Sequence, residues 1–265
     1  MKPRMRVNVI STAAVLGIAL MASACCEEGS GVVVQESRTV PAFTRLTLDV
    51  PGTVHVSQGP TTPLKISTDD NLIDDVLTRI RGDGETLAIE TEDCCVDPTE
   101  LTVQVSTEDI AALVIEGSGD IVLRGAFEAG ELSLSIDGSG AMTAEQLVAD
   151  DISLAIDGSG DMDLQVDAGT IRSSIDGSGG YRLSGSAGRH TISIEGSGEI
   201  AAAALQTATT IVDIDGSGDV IVAVDEQLDV SIEGSGEVAY CGRPQVTEEI
   251  DGSGGVSRAA DGRCD

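Results

Sequence analysis

The segment Ile156-Asp157-Gly158-Ser159-Gly160 recurs in near copies eight times, led by Ile115, Ile136, Ile156, Ile175, Ile194, Ile214, Ile232 and Ile250. The spacings between copies are 21, 20, 19, 19, 20, 18 and 18 residues. Self-similarity at a nearly fixed period in this range is the signature of a solenoid. A flexible linker has no reason to keep a bulky β-branched residue ahead of every glycine pair, and this chain does. Upstream of the motif, apolar residues take every second position, as in Leu132, Leu134, Ile136 and in Leu228, Val230, Ile232. Downstream the alternation resumes in phase, as in Met162 and Leu164 or Val220 and Val222. Period two means strands with one buried face. Continuous phase puts the two glycines inward and the acid and serine outward, so Gly-Ser-Gly reads as a strand bend that only glycine permits.

A unit this short cannot bury its apolar face alone. Stacked, each coil covers the next, with backbone hydrogen bonds between coils about 4.8 Å apart. The chain is therefore expected to be all-β, a single-stranded parallel β-helix (solenoid) of about 20-residue coils. Eight coils span residues 110–258, a rod on the order of 40 Å long at that pitch. Residues 37–109 read as degenerate N-terminal coils and an entry segment. "LTLDVPGTVHV" (46–56) repeats the template, "DDNLIDDVL" (69–77) predicts a short helix capped by Asp69 or Asp70, and "IRGDGETLAIE" predicts a hairpin around Gly82-Asp83-Gly84. Residues 25–36 are expected to form a tether and 259–265 a capping tail.

The first 24 residues carry a basic head (Lys2, Arg4, Arg6), an apolar stretch and small residues before Cys25. That is the layout of a secretory signal peptide, and "ASAC" has the form of a lipoprotein cleavage site with Cys25 as the lipidated residue. Ala22 stands where leucine is commonest, and an ordinary cleavable signal is the alternative. Removing residues 1–24 takes the formal charge from −30 to −33. So acidic a surface repels nucleic acid and anionic lipid, which leaves an acyl anchor as the route to the membrane. Cys26 at the following position, where an aspartate would retain the protein at the inner membrane, points to the outer membrane of a Gram-negative bacterium.

Six cysteines suit an exported protein. Cys241 and Cys264 bracket the last repeat and are the expected disulfide; the pairing of Cys26, Cys94 and Cys95 stays open. A zinc site from Cys94, Cys95 and His55 lacks a second cysteine pair at metal-ligand spacing and is a poor ligand set.

Three features together, "FTRLTLDVPGTVHVSQG", "LKISTDDNLIDDVLTRIRGDGETLAIE" and the tandem Ile-Asp-Gly-Ser-Gly-Asp units, resemble the head GIN domain family over residues 37–258. The resemblance implies a right-handed single-stranded β-helix on an exported, often lipid-anchored protein with an adhesin-like role. It brings no catalytic residues.

The most suggestive chemistry is a column of acids: Glu116, Asp137, Asp157, Asp176, Glu195, Asp215, Glu233 and Asp251. A second, partial column comprises Asp120, Asp161, Glu199, Asp219 and Glu237. Hard cations such as Ca²⁺ favour carboxylate oxygens, so a cation-binding ladder is one reading; a solvated acidic face that discourages edge pairing is the other. Polysaccharide-active β-helix enzymes use carboxylate pairs, yet here the acids recur evenly, histidines number two, and only Phe43, Phe127, Tyr181 and Tyr240 are aromatic. The expectation is a monomeric, non-catalytic envelope protein with a structural or surface-interaction role and an envelope protein or polysaccharide as ligand.

Overall fold

The alternation of aliphatic and polar residues resolves into strands laid one above another. In the computed structural model, which describes residues 26–82, 84–92, 96–260 and 263–264, there is no helix among the described residues. The eight motif copies pair in parallel through seven unbroken register steps, Ile115 on Ile136 on Ile156 and so on to Ile250. Two earlier coils extend the same ladder downward, Leu48 beneath Ile115 and Ile89 beneath Leu48. The result is a β-solenoid with one continuous aliphatic interior.

The coils over residues 112–207 have three straight runs. One carries the ladder isoleucine, one follows the glycine bend, and a short third run contributes an inner column of Phe127, Leu147, Val166 and Leu205, interrupted at the register position of the exposed Gly185. The corner between the second and third runs absorbs the variation in repeat length: the register slips there between Leu123 and Ala126, and between Ala202 and Gln206. Whole coils therefore stay in phase although their lengths differ.

The Gly-Ser-Gly bend is hydrogen-bonded throughout. Ser159 N donates to Gly138 O at 2.8 Å, and Ser178, Ser197 and Ser217 repeat the bond to the preceding coil at 2.8, 2.8 and 2.7 Å. The first glycine requires its identity for two reasons, well seen at Gly196. Its φ is +116°, and a Cβ there would lie 2.5 Å from the Gly177 carbonyl oxygen. The second glycine makes room for the ladder: a Cβ on Gly198 would meet Ile175 Cγ2 at 2.8 Å.

The N-terminal end departs from the sequence expectation in order and in direction. Residues Thr86–Thr91 and Leu101–Thr107 form the lowest coil, beneath Arg45–Asp49 and Thr53–Gln58, although they follow them in the chain. The intervening strands turn antiparallel: Leu64–Asp69 pairs with Leu101–Thr107, and Val76–Arg81 forms the expected hairpin with Thr86–Thr91. An antiparallel layer ends parallel stacking and covers the edge. The helix expected over 69–77 does not form. Asp69 is drawn into the end layer instead, where its carboxylate accepts hydrogen bonds from Thr99 Oγ1 (2.7 Å), Thr99 N (2.8 Å) and Gly31 N (2.7 Å), and residues 70–75 are a turn. These bonds, the Thr99 hydroxyl first, hold Asp69 below the usual carboxylate range. The expected tether is likewise folded over residues 26–36. Glu27–Glu28 pairs with Val96–Asp97, and Val33–Arg38 pairs antiparallel with Leu64–Asp69. Arg38 fixes it by donating to the carbonyls of Ile73 and Val76.

The C-terminal end is open by comparison. Gln245–Gly252 and Gly255–Arg258 form the last coil, and Ile250 is 38% exposed where Ile232 beneath it is 1% exposed. The Cys241–Cys264 disulfide ties the tail back to the preceding level.

Candidate functional site

Parallel stacking in register converts a residue type repeated in sequence into a column in space. Glu116, Asp137, Asp157, Asp176, Glu195, Asp215, Glu233 and Asp251 are direct register partners from coil to coil, all exposed on one flank. Adjacent carboxylates at such spacing repel by roughly 1 kcal/mol per neighbour even at the dielectric of water. Among the described residues none of the eight is paired with a cation. The second column is broken by Ala141 and Gly180, which occupy its register positions between Asp120, Asp161 and Glu199; above Gly180 it runs unbroken through Glu199, Asp219 and Glu237. Among the described residues no group of three or more His, Cys, Asp or Glu side chains converges as a metal-ligand set.

Buried polar side chains interrupt the aliphatic interior at Ser173, His190, Thr207 and Thr210, the two threonines meeting each other at 2.8 Å. His190 occupies the inner column between Ile171 and Thr210, fully buried, with Nε2 2.9 Å from Ser173 Oγ. Ser173 is 2% exposed, so this serine–histidine contact is sealed from any substrate. Nδ1 has no hydrogen-bond partner among the described residues, so no acid orients the ring as a catalytic triad requires. Burial pushes the His190 pKa down to about 4. Tyr181 is also buried, and its hydroxyl is satisfied by donating to Ser174 O at 2.7 Å.

Cys241 and Cys264 are joined, with Cα atoms 5.7 Å apart, and Cys26 is also disulfide-bonded. Cys25, Cys94 and Cys95, and with them the lipidation site and the cysteines of the zinc reading, lie outside the described residues. His55, the third member of that reading, stands beside Arg124, whose Nη2 lies 3.1 Å from His55 Nε2.

That contact belongs to a feature the sequence did not reveal. Near the N-terminal end, Lys65, Gln104, His55 and Val122 are register neighbours on four adjacent strands, with Arg124 two residues further along the last. The loop 59–63 rises beside them, held where Ser106 Oγ donates to Pro60 O (2.9 Å) and accepts from Thr62 N (3.1 Å). Gln58 buttresses the rim by donating to the Glu108 and Glu128 carbonyls. Together they enclose a cleft of about 440 Å³. Burial, and then the charge of Arg124, lower the His55 pKa, so the ring is neutral at neutral pH. No single motif could have disclosed this cleft, because its residues come from strands whose register partners lie 39 to 67 positions apart in the chain.

The family model described as putative auto-transporter adhesin, head GIN domain, matches residues 42–244. Solved structures share the fold at low identity. A putative adhesin from Parabacteroides merdae ATCC 43184 is 22% identical, over 89% of this chain and 100% of that one, with a TM-score of 0.84. A putative adhesin from Parabacteroides distasonis ATCC 8503 is 23% identical, over 88% and 99%, with a TM-score of 0.83. A putative lipid binding protein from the same organism is 22% identical, over 88% and 99%, with a TM-score of 0.79. No curated protein matches the sequence.

Proposed function

The chain belongs to the head GIN domain family, and from that premise we propose a lipid-anchored cell-envelope protein whose rod presents an interaction surface, adhesin-like and without catalysis. The observation that carries this reading is the evenness of the flank. Eight acids stand at eight successive register positions, whereas a catalytic centre concentrates unlike groups at one place. The buried Ser173–His190 pair supports the same view, since it reaches no solvent. Cys25 supplies the anchor, and the net charge of the remaining chain keeps the rod off an anionic bilayer surface. The neighbours called adhesins are consistent with a role at the cell surface.

Two measurements test the reading. Expression in a diderm host with labelled palmitate should label the protein and leave Cys25→Ala unlabelled and soluble; an unlabelled wild-type chain sinks the anchor. Beads coated with the protein should retain envelope material and release no reducing ends from polysaccharides. Turnover of a glycan, or no retention at all, overturns the interaction role as stated.

A further inference from the structure

The cleft beside His55 differs from the rest of this surface in one respect. The chain has 45 acidic residues, and none of them lines it. Four other concavities each include carboxylates, such as Glu199, Asp219 and Glu237 near the C-terminal end, or Glu131 and Asp151 on the flank. In this cleft the charged groups are Lys65 and Arg124, and among the described residues neither lies within ion-pair distance of a carboxylate. Lys65 and Lys2 are the only lysines of the sequence.

The spacing of the two cations is set by the sheet. Lys65 and Arg124 stand on strands separated by two others and are offset by two residues along them, so their backbones are roughly 16 Å apart at about 4.8 Å per strand and 3.3 Å per residue. Arg124 leans back over the strand of His55. Gln104, on the strand between those of Lys65 and His55, lines the same cleft, and its side chain makes no hydrogen bond among the described residues. Donors of two kinds, charged and amide, therefore line one polar space walled by Pro60 and Pro63, with one Arg124 nitrogen engaged by His55. A volume of about 440 Å³ is far larger than a bare ion needs and falls in the range of small-ligand sites.

The long-range field narrows the choice. A net charge of −33 beyond residue 24 repels polyanions and anionic bilayers, while screening over about 8 Å at physiological salt lets two local cations dominate inside the cleft. We propose that this cleft binds a saccharide carrying a single oxyanion, a carboxylate or a sulfate ester, with Arg124 and Lys65 holding the anion and Gln104 the ring hydroxyls. The site deepens the surface-interaction reading by naming its ligand class, and it rests on that reading for its biological role. Binding in solution is independent of the lipid anchor, so either can fail alone.

Isotopic reductive dimethylation of the full-length protein places side-chain NMR reporters only on Lys2 and Lys65, and Lys65→Met identifies the second. At low ionic strength the Lys65 signal should shift saturably with glucuronate or with glucose 6-sulfate, and not with glucose; the stronger of the two anionic sugars identifies the source of the oxyanion. The His55 pKa should rise on binding, because an anion beside Arg124 offsets one of the two causes that depress it. Arg124→Gln, an exposed substitution whose unchanged thermal midpoint certifies folding, should weaken binding about tenfold or more through loss of a charge-assisted hydrogen bond. A response equal to that of glucose, a midpoint equal to that of inorganic sulfate, no response to either anionic sugar, or unweakened binding by Arg124→Gln each overturns the assignment.

Discussion

Replacing Gly196 by alanine tests the structural premise at a single atom. The residue sits at φ +116° with its would-be Cβ 2.5 Å from Gly177 O. A side chain in that glycine-only region costs of order 1–3 kcal/mol. The clashing oxygen cannot simply withdraw, since it accepts the 2.8 Å bond from Ser197 N, and loss of that bond adds about 1 kcal/mol. Gly196→Ala should therefore destabilise by about 3 kcal/mol. Gly130 is the control: nothing lies within 4 Å of its would-be Cβ and its φ is not positive, so Gly130→Ala should fall within about 0.5 kcal/mol of wild type. Because coils depend mainly on their neighbours, the measurement pairs a urea transition by circular dichroism with hydrogen exchange at residues 177 and 216. A Gly196→Ala protein with wild-type midpoint and protection would refute the argument that the bend is a packed, bonded strand.

Three further outcomes follow from features described above. His190 has a folded pKa of about 4 against an unfolded 6.5; its contribution is intact above pH 6.5 and is lost as pH falls toward 4. That loss amounts to about 3 kcal/mol, so His190→Leu should flatten this part of the stability–pH curve relative to wild type, and parallel curves would count against it. Cys241→Ser with Cys264→Ser opens a loop of 23 residues and should cost about 3 kcal/mol, read as faster hydrogen exchange confined to residues 237–258. Screening the acidic ladder with NaCl should raise the thermal midpoint, and CaCl₂ at matched ionic strength should raise it no further; an additional rise would reveal specific cation binding along the column.

The repeat was legible because its information is local. Each Ile-acid-Gly-Ser-Gly unit carries its own phase, its bend and its inner and outer faces, so the eight-level ladder follows from spacing alone. His190 was legible in principle too, since counting back four positions from each ladder isoleucine aligns it with Ile152 and Ile171. The N-terminal end was not. Nothing near residues 86–107 says that they belong beneath 45–58, because the pairing joins segments 41 to 49 positions apart and their order in the stack reverses their order in the chain. The "DDNLIDDVL" segment has a capping residue and the right spacing for a helix, yet Asp69 gains three hydrogen bonds in the end layer that a helix cap could not match. The cleft was hidden for the same reason: Lys65, His55 and Arg124 are unremarkable where they stand in the chain and meet only through strand pairing.

The corners where the register slips have a consequence for how such a molecule can change over generations. Gain or loss of a complete unit leaves every remaining contact as it was and alters the reach of the protein by one strand spacing, about 4.8 Å. A gain or loss of a few residues is taken up where the runs meet and alters nothing but the outline. Reach and girth can thus drift separately, and the antiparallel foot, with its cationic hollow, need not be rebuilt when either does.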